Sequence, residues 1–428
     1  MRWVTLFLKT ENVHLLKDVG MIPYYLMKEH GVDSTVATWK NGEDYSYADN
    51  EVKGLKLEFV PCSGHGRELD GMLYLVKNAK KIDVLNIYHL NLSSYLYEIV
   101  YRLFNRRGCI YLKLDMNPAG FVTCFKKNPV GMIKRATIRR ADIASVETMA
   151  MKKKLRKFFG DKIIYIPNGC YRDTNNTDNE PEDVSKTAET AKTTVKSALD
   201  PDTNGQPACT TITEDANAVT GAGKSSDNKA LEPVKQTELP RKNIILTVGN
   251  LGTYEKATDV LLDAFAMYAA RSKNTDWSLR LIGSVDESFR DHIVEYYKKH
   301  PELKKRVIFT GPITDKARLD KEYRQAKIFT LPSLSESFGI VLVEAASRGC
   351  YLITSDMVPA GYDISHGYEN GTAVPAGDAG ALSEAFIRIC DGEMDWDKTA
   401  EKTAAYVKAA YDWSRIVDRL YNDIRLSL

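Results

Sequence analysis

Two carboxylates raise the chemical question. Glu336 and Glu344 stand inside Leu-Pro-Ser-Leu-Ser-Glu-Ser-Phe-Gly-Ile-Val-Leu-Val-Glu-Ala-Ala-Ser-Arg-Gly, residues 331–349, with seven residues between them. Such a pair can act as acid and base in glycoside cleavage, or it can accept hydrogen bonds from sugar hydroxyls. The surroundings separate these uses. Residues 328–330, Ile-Phe-Thr, read as part of a strand, and 341–347 as a helix closed by Gly349. Glu336 then lies in the connecting loop and Glu344 on the helix. The amides of Ser337, Phe338 and Gly339 fall at the helix N-terminus, where unpaired N–H groups and the helix dipole favour an anion such as a diphosphate. Carboxylates on either side of a phosphate seat suit the binding of sugar hydroxyls. Two glutamates at this spacing also arise by chance in a charged chain. The neighbouring Phe-Gly and Pro-Ser and the strand-loop-helix setting are what give them meaning.

The run Glu-Ser-Phe-Gly-Ile-Val-Leu-Val-Glu-Ala resembles the signature of glycosyltransferase family 4, the glycosyl transferases group 1. That family is retaining and nucleotide-sugar dependent. It has the GT-B fold: α/β, two Rossmann-like domains whose mostly parallel sheets face a central cleft. The resemblance extends over nearly the whole chain outside residues 174–240, specifically in the second half and loosely in the first. It implies a nucleotide diphosphate sugar as donor, a glycan or lipid-linked hydroxyl as acceptor, and no cofactor and no metal. Glu336 would hold hydroxyls of the donor sugar and Glu344 those of the ribose. Lys256 stands at the family's diphosphate-gripping lysine, and Asn250 stands where an arginine is usual. Gly283 ends the strand that passes under the nucleotide, and residues 307–313 resemble the segment that holds the base through backbone groups. Gly20 corresponds to the glycine-rich turn after the first strand, equally readable as a glycine easing a helix start. Asp115 stands where the family often has a histidine, and His89 follows the preceding strand. A histidine there is also a common structural hydrogen-bonder. Pro167-Asn168-Gly169 resembles the turn that closes the first domain, and turn chemistry alone would also place Asn-Gly there.

The elements that must position these residues can be read from periodicity. Apolar runs at 3–8, 34–38, 55–60, 84–88, 109–114, 143–146 and 163–166 are expected strands, and 19–29 is an expected helix ending near Gly31. Strands spaced by helix-length segments imply βαβ units and a mostly parallel sheet, with ligands beyond its carboxyl edge. A second series, at 243–249, 279–283 and 351–354, repeats the pattern. The expected organisation is an acceptor domain over 1–173, a disordered insertion over 174–240, and a nucleotide-sugar domain over 241–410. Residues 411–428 form a last helix crossing back to the first domain, capped by Asp412, with Trp413 in a packing role. The insertion lacks Phe, Trp and Tyr and buries too little apolar surface to offset its chain entropy. Its Asp200-Pro201-Asp202 reads as a solvated turn.

At 428 residues, 43% hydrophobic, 27% charged and with a net charge of +2, the composition is that of a soluble globular chain, argues against a dedicated nucleic-acid binder and leaves room for a local basic patch. Seven cysteines without a Cys-x-x-Cys pair fit reduced thiols in the cytoplasm. Residues 3–8 are too short for a signal-peptide core or a membrane span. The stretch 126–157 is strongly basic and bordered by phenylalanines, which fits either a solvated face or peripheral contact with anionic lipid at the inner face of the membrane. The readings left open are an inactive GT-B partner subunit, suggested by Asn250 and Asp115, and a GT-B nucleotide-sugar epimerase. A dinucleotide oxidoreductase is disfavoured because no Gly-x-Gly-x-x-Gly follows the first strand.

Overall fold

The computed structural model describes residues 1–170 and 240–428. The expectations for the insertion, Pro240 apart, and for Asp200-Pro201-Asp202 lie outside the described residues. Thirteen described strands are β1 (Arg2–Leu6), β2 (Asp33–Thr38), β3 (Lys56–Phe59), β4 (Val84–Tyr88), β5 (Cys109–Leu114), β6 (Ile143–Val146), β7 (Ile163–Tyr165), β8 (Lys242–Val248), β9 (Ser278–Ile282), β10 (Val307–Gly311), β11 (Ala326–Leu331), β12 (Tyr351–Ser355) and β13 (Gly371–Val374). They form two wholly parallel sheets, ordered β3-β2-β1-β4-β5-β6-β7 and β10-β9-β8-β11-β12-β13. Helices cover both faces of each sheet. That is why central strands such as β5 and β11 are nearly continuous apolar runs rather than alternating ones.

The first strand is shorter than its apolar run. The Thr10 hydroxyl and amide both donate to the Phe7 carbonyl, at 2.7 and 3.2 Å, and turn the chain after Leu6. The helix Asp18–His30 ends at Gly31, which takes the left-handed conformation (φ 61°) that lets the chain leave the helix.

In the first lobe, Val4, Leu6, Leu85, Ile87, Ile110 and Leu112 pack under one helical layer. Trp3, Val36 and Ile143 pack under another, which includes the C-terminal helix Trp413–Arg425. Its cap is Asp412, whose side chain accepts the Arg415 N–H. The stripe Trp413, Ile416, Val417, Leu420 and Ile424 is buried among first-lobe residues, so the last helix clasps the lobe in which the chain began. Burying each such aliphatic side chain contributes about 1.5–3 kcal/mol. Trp413 also covers Gly169, where a Cβ would sit 2.6 Å from the indole.

Candidate functional site

Both sheets reverse strand order, between β1 and β4 and between β8 and β11. Loops leaving such a pair of strands diverge in opposite directions and leave a crevice at the carboxyl edge. The candidate site is assembled from those loops.

In the second lobe the floor is made by two glycines. Gly283 has φ 141°, and a Cβ on it would lie 1.8 Å from the Gly249 carbonyl oxygen, so only glycine fits this close approach of two backbones. Beyond it opens a cavity of about 360 Å³ lined by Gly283, Val285, Arg290, Ile293, Gly311 and Pro312. Lys256 ends a short 3-10 turn, Tyr254–Lys256, and its stem passes beside Gly249. The next residue, Ala257, is held at φ 48°, a left-handed conformation costly for a residue with a Cβ. It starts the helix Thr258–Arg271. The Lys256 ammonium lies 2.6 Å from a carboxylate oxygen of Glu336. The Leu334 N–H donates to the Glu255 carbonyl at 2.8 Å and pins the two loops together. Asn250 is exposed; its amide oxygen accepts from the Ser284 hydroxyl at 3.1 Å. Its NH₂ has no partner among the described residues and remains available to a ligand.

The helix after Glu336 is Ile340–Ser347, entered through Gly339 at φ 77°. Among the described residues the backbone N–H groups of Ser337, Phe338 and Gly339 find no acceptor. Phe338 points its ring into the core, at 3% exposure, so it can serve a ligand only through its backbone. Glu344 is half-buried and accepts the Tyr323 hydroxyl at 2.8 Å with one oxygen, leaving the other unbonded among the described residues. Burial pushes the Glu344 carboxyl upward, opposed by that bond and by the charges of Arg348 and Lys17.

The first lobe meets this loop directly. The Asn117 side-chain amide donates to the Ser335 hydroxyl at 3.2 Å, bringing the loop after β5 against the loop of Glu336. Asp115 and Glu336 each lie within two residues of that bond along the chain. Asp115 is exposed and makes no hydrogen bond among the described residues. His89 sits just past β4 at φ 64°, its N–H donating to the Lys113 carbonyl at 3.0 Å and its ring beside Phe7. Gly20 stands in the first turn of a helix, as its helix-start reading expected. It lies inside the helix Asp18–His30, where a Cβ would strike the Leu15 carbonyl at 2.3 Å, so its bareness serves chain packing.

Sequence reasoning missed three features. Lys17, whose charge reaches Glu344 from the opposite lobe, lies in a loop without a recognisable pattern. Ser335 and Asn117 join the lobes across a separation that periodicity does not see. Third, Lys113 is fully buried at the end of β5, 2.9 Å from Glu147 and 3.5 Å from Asp18, and it donates to the Ile166 carbonyl. Burial alone would pull its ammonium down; the two carboxylates outweigh that and hold it above the ordinary lysine range. Asn168 also donates to Glu147, at 2.7 Å, so the Pro167-Asn168-Gly169 turn closes this network. A lysine in an apolar strand was the available signal. No cluster of three or more His, Cys, Asp or Glu suited to a metal occurs among the described residues.

Residues 242–391 match the family model described as Glycosyl transferases group 1. The chain is similar to the phosphatidyl-myo-inositol mannosyltransferase of Mycobacterium leprae, 30% identical over 178 residues, which cover 41% of this chain and 45% of that protein. It is also similar to the D-inositol 3-phosphate glycosyltransferase of Corynebacterium glutamicum, 26% identical over 186 residues, covering 42% of this chain and 43% of the relative. The matched part thus spans less than half the length of these curated relatives. Among solved structures, HepE of Anabaena in complex with UDP superposes with a TM-score of 0.65 at 14% identity, over 99% of this chain and 100% of that one. The sucrose-phosphate synthase of Thermosynechococcus elongatus gives 0.64 at 17% identity, over all of both chains. These likenesses carry the two-lobed GT-B fold.

Proposed function

We propose, from the premise that this chain belongs to the glycosyl transferases group 1, that it transfers a sugar from a nucleoside diphosphate sugar to an acceptor hydroxyl with retention at the anomeric carbon. The observation that carries the reading is the seat itself: the Lys256–Glu336 pair and three unbonded amides at a helix N-terminus, on the same sheet edge as a cavity at the carboxyl ends of β9 and β10. In this reading the cavity takes the base and ribose, with Gly283 beneath and Glu344 offering its unbonded oxygen to a ribose hydroxyl. The diphosphate lies against the Ser337–Gly339 amides, Asn250 and the Lys256 ammonium. Glu336 accepts hydroxyls of the donor sugar.

The bond from the anomeric carbon to the diphosphate oxygen breaks with its electron pair leaving on the diphosphate. The acceptor oxygen bonds to that carbon on the same face, and its proton passes to the departing phosphate. Fixed positive charge and amide donors aimed where negative charge grows lower the barrier. Asp115 and His89, on the first-lobe side, are read as orienting the acceptor. The ammonium, the amide donors and the receiving phosphate supply the charges and the proton path, so the reading calls for no cofactor.

Support for an acceptor in glycan or glycolipid synthesis comes from the relatives' names, which carry phosphatidyl-myo-inositol and inositol phosphate. Exposed Val122, Val130, Met132 and Phe158 among the lysines and arginines of the basic stretch support contact with an anionic membrane from the cytoplasmic side. The test is a panel of nucleoside diphosphate sugars, read by thermal shift and by slow hydrolysis without acceptor. One donor should raise the melting temperature and be hydrolysed. A chain that binds none of them would refute the reading.

A further inference from the structure

Lys113, fully buried at the carboxyl end of β5, has no role in the transfer step above. Its ammonium donates to Glu147 at 2.9 Å and to the Ile166 carbonyl at 3.1 Å, and an Asp18 carboxylate oxygen lies 3.5 Å away. Each acceptor belongs to a different segment: Glu147 follows β6, Ile166 follows β7, and Asp18 begins the helix Asp18–His30 that follows β1. The Lys113 carbonyl also accepts the His89 N–H at 3.0 Å, and so holds the residue just past β4. Asn168 adds its bond to Glu147 at 2.7 Å, and the Asp18 carboxylate accepts the Val19 N–H at 3.0 Å. Segments following β1, β4, β6 and β7 therefore meet on one residue of β5.

Stability alone does not call for an ion cluster here. Taking charges out of water is costly, and apolar side chains of similar volume often hold a buried site as well or better. What apolar contact lacks is direction. The N–H groups of an ammonium point along fixed bonds, so the acceptors they meet are held in place relative to one another. The segments held in this way are the ones that reach the second lobe. Just beyond Lys113, Asn117 donates to Ser335 at 3.2 Å. Just beyond Glu147, the Met149 N–H donates to the Asp363 carboxylate at 2.8 Å. On either side of Ile166, the Tyr165 hydroxyl lies 3.3 Å from that of Tyr411, and the Cys170 N–H donates to the Tyr411 carbonyl at 2.7 Å. Tyr411 packs in the core of the second lobe.

We propose that Lys113 is a positioning residue: by tying the segments after β1, β4, β6 and β7 to β5 it sets the surface on which the second lobe seats, and so the placement of Asp115 and His89 relative to the donor seat. The alignment of the lobes stands on the bonds just given, and its consequence for turnover rests on the transferase reading above. Without the ammonium, the carboxylates of Glu147 and Asp18, only 5% and 15% exposed, face each other with no cation between them and repel. The ends of β5, β6 and β7 are then no longer fixed to one another, and Asn117, Met149 and Tyr165 no longer meet their partners together. Lys256, Glu336 and Glu344 all belong to the second lobe and keep their own contacts.

The test uses the full chain carrying Lys113→Met with Glu147→Gln, which removes one charge of each sign and keeps both side chains near their original length. Ile110→Ala, an apolar change in the core of the same sheet, is the comparison. Alignment is read without substrate by placing Asn117→Cys together with Ser335→Cys in each background, where mild oxidation joins the two as a disulfide seen by mass spectrometry. Lys113→Met with Glu147→Gln should slow the joining roughly tenfold, in proportion to the aligned fraction. Ile110→Ala should lower the melting temperature without slowing it. With the donor found by the nucleotide-sugar panel, and water in the acceptor's place, kcat for donor hydrolysis should fall roughly tenfold or more, since a 1 Å misplacement can cost about 10²-fold. Donor KM and the affinity for UDP or GDP should stay at wild-type values. If the double variant does not fold, Glu147→Gln alone, which leaves the ammonium bonded to Ile166, is read in its place and should slow the joining several-fold. Joining at the wild-type rate in the folded variant, equal slowing by Ile110→Ala, or donor hydrolysis at the wild-type kcat overturns the proposal. If no donor binds the wild type, the transferase reading fails, and the cross-linking still decides the alignment.

Discussion

Replacing Lys256 by methionine removes the ammonium that pairs with Glu336 and is proposed to meet the donor diphosphate. Its partner Glu336 lies 2.6 Å away, with the two side chains 27% and 18% exposed. A partly solvated pair of this kind stabilises the fold by no more than about 1 kcal/mol, so Lys256→Met should scarcely move the melting temperature. A charge-assisted bond to a diphosphate is worth about 1.5–3 kcal/mol, so the same change should weaken nucleoside diphosphate binding by roughly 10- to 150-fold. Glu336→Gln is the informative contrast. It frees the ammonium from its internal partner, so nucleoside diphosphate binding should hold or tighten a few-fold while turnover falls, because the carboxylate proposed to hold the donor sugar is gone. Isothermal titration of UDP and GDP into the wild type, each single variant and the double variant closes a cycle that measures the coupling. The reasoning fails if Lys256→Met binds both nucleotides like the wild type, or if Glu336→Gln weakens them as much as Lys256→Met does.

Asn250→Arg should strengthen donor binding about tenfold by adding a bidentate cation where a neutral amide now stands, read as donor KM; no gain would mean that the loop does not reach the diphosphate. Glu344→Gln should raise donor KM several-fold with little change in kcat, since the proposed contact is to the ribose end in both ground and transition states. Asp363 gives the pH dependence. Its carboxylate accepts the Met149 N–H at 2.8 Å across the lobes, and burial pushes it up to about 6 despite that bond. The unfolded value is about 3.9, so between these pH values the folded chain holds more protons than the unfolded one, and stability falls as pH rises through this window. Asp363→Asn keeps the acceptor and should stabilise the protein by on the order of 1–3 kcal/mol at pH 7.5 and not at pH 3.5, read as the difference in denaturant midpoints.

The sequence by itself determined what depends on neighbours along the chain. The strand-loop-helix around Glu336, the Gly349 stop, the Asp412 cap and the apolar stripe from Trp413 to Ile424 are local patterns, because hydrogen bonding within a turn and burial of one helix face repeat every few residues. Tertiary structure alone decided which side chains meet. The bond between Lys256 and Glu336 spans 80 residues, and Asn117 reaches Ser335 across 218. Gly20 could be read equally as part of a ligand turn or as a glycine easing a helix start, and only the tertiary structure shows it in a first helical turn with the backbone of Leu15 pressed against it. Glu344 shares its carboxylate with Tyr323, and Lys113 sits buried between Glu147 and Asp18, both fixed by how strands and helices stack. Periodicity records which face of an element is buried, whereas the partner on that face is set by the order of strands in the sheet, which two chain-distant reversals establish.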